Sequence, residues 1–285
     1  MEIKYIFRYP DDFMKQHLRL VGLPSLLETF HESKFVSTWQ SILLENLIAI
    51  MRLEKVRFSY DKAQQKIKVN ENSRNYYFKA KGRGFTLYRN GLTTRGKFIY
   101  KSYCLQNIQW TADDVVVDCG ANSGDLFLQL SSIIDPKNYI ALEPNSEDFN
   151  CLTLNAKSAT PLNLALGDKD EESHFYVSIK DASSSLVEPK SWTSKRKVMV
   201  RRLDSLLSEM GISKVKLLKV EAEGNEPEVL KGAIGALDKI EFIAIDGGPE
   251  RGPLELQTFS TCCNLLMSNG FKWSIHFYHG IGRYS

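Results

Sequence analysis

The 285-residue chain carries 37 Lys and Arg against 34 Asp and Glu, a formal charge of +3, and 43% of its residues are hydrophobic. That length can bury a large core, in one domain or in a catalytic domain with an N-terminal extension, and the near-balance of charge offers no electrostatic footprint for nucleic acid. Five cysteines, Cys104, Cys119, Cys151, Cys262 and Cys263, form no CxxC pair, which argues against a disulfide framework or a structural metal and for reduced thiols.

The first residues, MEIKYIFRYPDDF, have no apolar signal core, and no later apolar run reaches membrane-spanning length. The expectation is a cytoplasmic protein without a transmembrane segment, with transient membrane contact left open. Within residues 10 to 56, LPSLLETF and WQSILLENLIAIMRLEKV have the spacing of amphipathic helices packed on another layer, with a dimer surface or a substrate lid as the alternatives. The stretch VRFSYDKAQQKIKVNENSRNYYFKAKG then reads as short strands separated by polar turns. Its aromatic end, continuing through RGFTLYRNG, reads as core strands with solvated lysines; a carbohydrate platform or a basic nucleic-acid surface is the other reading. The expected organisation is an extension over 1–105 with helices and strands, followed by a ligand-binding domain over 106–285.

From Asp113 onward apolar strands alternate with helical segments, the order of an open α/β sheet with its functional edge at the strand C-termini. VVVD supplies a strand and CGANSG turns the chain before DLFLQLSSII begins a helix. Gly120 and Gly124 permit close backbone approach, while Asn122 and Ser123 present polar atoms where the helix start is expected to offer unpaired N–H groups. Glu143, at the end of NYIALEPN, follows Asp118 by 25 residues. A carboxylate there can accept from both hydroxyls of a ribose. The loop lacks G-x-G-x-x-G and the Lys and hydroxyl of a nucleotide-triphosphate loop, so a ligand with an amino-acid end and an adenosine end fits better than a pyrophosphate.

Further on, TPLNLALGDKDEESHFYVS reads as a strand reaching Ala165, a turn through Gly167 and Asp168, and a strand containing His174. In VRRLDSLL, Asp204 is placed to cap a helix. VKLLKVEAEGNEPEVLKGA delivers Glu221 and Glu223 to a strand end before Gly224 turns the chain and Glu228 starts or flanks a helix. IEFIAIDGG delivers Asp246 to the same edge.

The ordered set VVVDCGANSG, ALEPN, NLALGD, SSSL, RRLDSLL and KVEAEGNEPEVLKGA, over roughly residues 95 to 250, resembles the FkbM family of S-adenosylmethionine-dependent methyltransferases. The resemblance implies a class I methyltransferase, Rossmann-like α/β fold: a predominantly parallel seven-stranded sheet with flanking helices, ending in an antiparallel hairpin for which GFKWSIHFYH is the source. It implies S-adenosyl-L-methionine as cofactor, with the methionine end over Gly120, Ala121, Asn122, Ser123 and Gly124 beside Asp118. The ribose falls at Glu143 with Asn145 nearby, and the adenine at Ala165 to Asp168. KVEAEG departs from the family's KIDVEG-like segment, with Glu221 in the aspartate's place, and DGGPERG at 246–252 marks a branch.

Transfer of a methyl group to an alcohol requires alignment and removal of a proton. Asp246 is the favoured base, with Glu221, Glu223 and His174 or His276 around the acceptor. Magnesium activation is the minor alternative, because no compact metal signature is present. The expected function is O-methylation of a hydroxyl-bearing sugar, glycan or related metabolite. A noncatalytic nucleoside-binding protein and, less favoured, an NAD-dependent oxidoreductase are the alternatives, and the oligomeric state stays open.

Overall fold

In a computed structural model, residues 4–8, 23–79, 81–178 and 184–273 are described. A first strand, β1 (Lys4–Arg8), precedes a helix-and-hairpin layer. That layer comprises α1 (Leu23–Glu32), α2 (Thr38–Met51), the antiparallel meander β2 (Val56–Asp61), β3 (Lys66–Glu71) and β4 (Arg74–Phe78), then α3 (Lys81–Tyr88) and α4 (Leu92–Ser102). The two sequence-predicted helices are present and the short strands run as far as Phe78, but KGRGFTLY, read as a continuation of core strands, is the helix α3, its helical spacing obscured by two glycines, and α4 follows it.

The layer has its own core, in which Phe58, Phe78 and Phe85 meet edge to face at 5.0 to 6.3 Å between ring centres. Beneath it lies a buried ion cluster. The Arg89 guanidinium donates to both oxygens of Glu45, at 2.7 and 2.6 Å, and His31 Nε2 lies 2.6 Å from Glu45 Oε1. Burial works to raise the Glu45 pKa, but His31 and Arg89 together hold it below the ordinary value.

The remaining chain builds β5 (Val116–Cys119), α5 (Phe127–Leu130), β6 (Tyr139–Leu142), α6 (Ser146–Asn155), β7 (Thr160–Leu162), β8 (Ala165–Leu166), β9 (Glu171–Val177) and β10 (Ser194–Arg201). It continues with α7 (Leu203–Glu209), β11 (Val215–Val220), α8 (Glu226–Lys231), β12 (Ile240–Asp246), a small hairpin of β13 (Pro249–Arg251) and β14 (Leu256–Gln257), α9 (Phe259–Ser268) and β15 (Lys272–Trp273). Every residue of β5 and β6 is buried, as are most of β11 and β12. Continuous apolar runs of this kind suit parallel strands covered on both faces.

The main sheet has the order β15-β1-β12-β11-β5-β6-β7 with all pairs parallel. Five of its strands, β12 to the edge strand β7, come from the segment read as α/β. The strand β1 was not anticipated: Lys4 to Arg8 align with Phe242 to Asp246. Lys272 and Trp273 pair parallel with β1 and not as an arm of the expected antiparallel hairpin; the rest of that segment, with His276, lies outside the described residues. The chain leaves β5 toward β6 on one side and returns to β11 on the other, so the C-terminal ends of β5 and β11 border the crevice of a topological switch point. A second sheet, β8-β10-β9, stands beside it.

Asp204 is not the N-cap of α7. Arg202 holds that position, and Asp204 sits inside the first turn, where it accepts from the Ser205 N–H at 2.8 Å and pairs with Arg202. Among the described residues no helix is long and apolar enough to cross a membrane.

The ion cluster under the N-terminal layer is expected to carry a large share of that layer's stability. Replacing Glu45 with Ala leaves the Arg89 charge buried and unpaired, a loss of about 3–5 kcal/mol. Urea unfolding followed by circular dichroism measures it, and a change below about 1 kcal/mol would show that water reaches the cluster.

Candidate active site

The loop after β5 is held from within. The N–H groups of Gly120 and Ala121 both donate to the Leu142 carbonyl, at 3.0 and 2.9 Å, and that of Gly124 donates to Ala121. The Asn122 N–H donates to Glu143 Oε2 at 2.9 Å, and the Ser123 N–H to the Asn122 side chain at 2.7 Å. All five N–H groups are thus committed to the protein. The expected row of unpaired donors is not what the loop presents, and α5 is only four residues long.

Gly120 has a specific reason to be glycine. Its φ is +77°, and a Cβ there would stand 2.0 Å from the backbone oxygen of Glu221. The close approach that the sequence pattern demanded is therefore at least in part to the neighbouring strand end, not to a ligand. Gly124, at φ +95°, would meet Leu152 at 3.2 Å and does not line the cavity.

A cavity opens over this loop and draws together Asp118, Gly120, Ala121, Asn122, Ser123, Glu143, Asn145, Ala165, Glu221 and Glu223 of the sequence-predicted set. Four of those residues, Asp118, Glu143, Glu221 and Glu223, are carboxylates. Glu143, at the end of β6, is only 7% exposed, and its Oε1 accepts from the Asn145 N–H at 2.8 Å while Oε2 accepts from Asn122. Each oxygen keeps a lone pair for a further donor. Burial, followed by the charge of Asp148, pushes its pKa up to about 8 against the two N–H bonds and Lys79.

Asp118 and Glu221 are joined by a residue the sequence reading passed over. Lys219, buried in β11, places its ammonium 3.0 Å from Asp118 Oδ1 and 3.0 Å from Glu221 Oε2. It also donates to the carbonyls of Gly120 and Cys119, at 2.8 and 3.2 Å. Tyr103 donates to Glu221 Oε2 at 2.8 Å, and Tyr139 donates to Asp118 Oδ2. Burial opposes the charge of Lys219, but Asp118 and Glu221 hold its pKa well above the ordinary value. The available signal was the second of two lysines in the apolar run VKLLKV, placed just before the strand end that carries Glu221.

Glu223 sits in the turn after β11 at φ +50° and is half-buried. Burial and then the charges of Glu250, Glu221, Glu226 and Asp246 push its carboxyl well above the ordinary value. The turn is fixed by Glu226, another residue not singled out beforehand, whose Oε1 accepts from the N–H groups of Ala222 and Gly224 at 2.9 and 3.1 Å. Glu228 lies within α8, paired with Arg251 at 2.7 Å.

Besides Gly124, three expected site residues stay outside the cavity lining. His174 is exposed on β9, aligned with Lys197. Asp168 follows β8, and its carbonyl accepts from Arg202 at 3.0 Å. Asp246 ends β12, 7% exposed and aligned with Arg8, and bears on the cavity through its charge on Glu223.

The N-terminal layer closes the opposite wall. Asp125, directly after the loop, accepts from Tyr76 and Tyr88 at 2.7 and 2.8 Å and from Arg95 at 2.8 and 2.5 Å. Asn155 bridges the two parts, accepting from the Tyr77 N–H at 2.7 Å and donating to the carbonyls of Tyr77 and Ser123, both at 2.8 Å. Phe78, Lys79, Arg83 and Leu87 reach the same cavity.

The chain is an α/β protein whose parallel sheet opens on a crevice lined by carboxylates, and its similarity to known proteins places it in a class of enzymes. The Methyltransferase FkbM domain model matches residues 118–271, and the chain belongs to that family of methyltransferases. It is 30% identical over 138 residues to the hexuronic acid methyltransferase AglP of Haloferax volcanii, covering 47% of this chain and 56% of AglP. It is 25% identical over 160 residues to the 2-O-methyltransferase NoeI of Sinorhizobium fredii, covering 46% of this chain and 62% of NoeI. Methyltransferase 1 of Beauveria bassiana is 25% identical over 205 residues, 63% of this chain and 80% of its own length. The chain thus spans less than two thirds of AglP and of NoeI. S-adenosylmethionine is the methyl donor standard for the family.

Lys219 is expected to hold the site and the sheet together. Lys219→Met leaves Asp118, 1% exposed, without its countercharge and should lower stability by about 3–5 kcal/mol. Asp118→Asn combined with Lys219→Met should recover part of that loss in chemical unfolding; a double variant no more stable than the single one would refute the pairing.

Proposed function

We propose that this protein is an O-methyltransferase that uses S-adenosyl-L-methionine to methylate a hydroxyl of a sugar, glycan or related metabolite. The observation that carries the reading is the donor and acceptor balance of the cavity. The N–H groups of the loop are all engaged within the protein, while Asp118, Glu143, Glu221 and Glu223 line the space with carboxylates. A pyrophosphate needs N–H donors; a ligand with an ammonium, a sulfonium and a ribose diol needs acceptors and negative charge. The residues present fit the second ligand, which disfavours the NAD reading.

When bound, S-adenosylmethionine would supply an electrophilic methyl group on a positively charged sulfur. Glu143 would accept the two ribose hydroxyls on its remaining lone pairs. Glu221, oriented by Lys219 and Tyr103, would face the ammonium end beside Asn122, and Ala165 would border the adenine. Glu223 is the candidate to receive the acceptor's hydroxyl proton, because it lines the cavity and its raised pKa makes it the stronger base. Asp246 would act on it through charge. AglP and NoeI, whose names specify a hexuronic acid and a 2-O position, support a sugar hydroxyl as the acceptor class.

Calorimetry of the full chain with S-adenosylmethionine and with NAD tests the cofactor. Binding of the former only, weakened at least about tenfold in Glu143→Ala with the fold retained, is the expected result; NAD binding alone would overturn it. Labelled methyl transfer to a panel of sugars and glycans then separates an enzyme from a noncatalytic nucleoside binder.

A pH dependence follows from Glu143. Its neutral form dominates below about 8 in the free protein, and the ribose hydroxyls favour the charged form. Affinity should therefore rise with pH through that range, and binding at pH 7 should release a proton. Calorimetry at pH 7 in two buffers of different ionisation enthalpy reads the release directly; it should be smaller in Glu143→Gln.

A further inference from the structure

The helix α2, TWQSILLENLIAIM, is apolar on more than one face. Its one charged residue, Glu45, is buried with Ile42 and Ala49 on the side facing the N-terminal core. The opposite side carries Trp39, Leu43, Leu47 and Ile50, spaced four, four and three apart and hence on one stripe. These are 59, 72, 53 and 54% exposed, and Phe35 and Leu53 beyond the two helix ends are 96 and 90% exposed. A helix that is hydrophobic all round belongs in a buried setting, and a contiguous exposed apolar stripe of this length marks an interaction surface.

The charges at its ends identify what it meets. Lys34 stands exposed beside Phe35, and Arg52 and Lys55 stand exposed around Leu53. Of the neighbouring acids, Glu54 is half-buried, and Glu32, exposed beside Lys34, also lines the cavity, so the two ends together carry three exposed cations, Lys34, Arg52 and Lys55, against one exposed acid. A second copy packed antiparallel on the same stripe would bring the Lys34 end of one helix against the Arg52 and Lys55 end of the other, with only Glu32 at each meeting point to offset three cations. A membrane carrying anionic lipids meets both ends favourably, takes up the leucines and accommodates a tryptophan at the headgroup level. We infer that the outer face of α2 docks this protein on an anionic membrane surface. The contact lies one helix from the site, because α3 packs against α2 and carries the cavity residues Arg83, Leu87 and Tyr88.

Co-sedimentation of the full chain with vesicles of phosphatidylcholine, alone or mixed with phosphatidylglycerol, tests the assignment. The expected result is binding to the mixed vesicles that weakens as salt is raised. Leu43→Glu with Leu47→Glu should reduce that binding at least about tenfold with an unchanged thermal transition, since both side chains are exposed. A separate Lys34→Glu, Lys55→Glu variant should lose the preference for the anionic vesicles. Absence of binding to either vesicle, or equal binding by the leucine variant and the wild type, overturns the assignment. So does a dimer in sedimentation equilibrium that the leucine substitutions abolish while vesicles bind nothing, which would give the face to a second copy.

Discussion

One ammonium group ties together the parts of this protein that must not move relative to one another. Lys219 lies on β11, yet its contacts are the carboxylate and carbonyls of the β5 end and the carboxylate that follows its own strand. Parallel strands are joined by evenly spaced backbone bonds that stop where pairing stops. Past that point the loop after β5 and the turn after β11 would diverge without a cross-link, and the buried lysine supplies one. Its cost in desolvation is offset because two carboxylates and two carbonyls surround it, with the Tyr103 ring 5.8 Å away.

The same arrangement sets the polarity of the cavity. Loop N–H groups that would otherwise attract anions are directed to Leu142, Glu143 and the Asn122 side chain, so the surface left for a ligand is rich in acceptors. Glu143 then has two functions that pull on one pKa. Two backbone N–H groups stabilise its charge, burial and Asp148 oppose it, and burial prevails. A group poised in this way changes its protonation when a donor arrives.

The N-terminal layer is more than a neighbour. Two tyrosines and an arginine from it converge on Asp125, one residue past the glycine loop; burial works to raise the Asp125 pKa, but these partners keep it below the ordinary value. Asn155 adds a bridge between Tyr77 and Ser123. The wall opposite the loop is thereby fixed by charge and hydrogen bonding, while the aromatic core of the layer supplies its rigidity.

The strands around 116–246 were legible because burial on both faces leaves continuous apolar runs, and the loop after β5 and the acid after β6 were legible because a strand, a glycine turn and a distal acid recur in order. Gly120, Glu143, Glu221 and Glu223 meet where that order implied. Lys219 and Glu226 were not found, since one of two lysines in an apolar run and an acid beside a proline show no local pattern that distinguishes a buried anchor from a solvated side chain. His174 was placed in a strand, Asp168 in a turn and Asp246 at a strand end correctly, but linear position does not state which way a side chain faces. The sequence by itself determined the alternation of strands and helices, the acids at the strand ends and the glycines, because these depend on local conformation and on which residues avoid water. Only the tertiary structure decided that the loop's N–H groups are already used, that Lys219 joins two strand ends, and that β1 crosses from the N-terminus into the main sheet, because each of these is a contact between segments that the linear order keeps far apart.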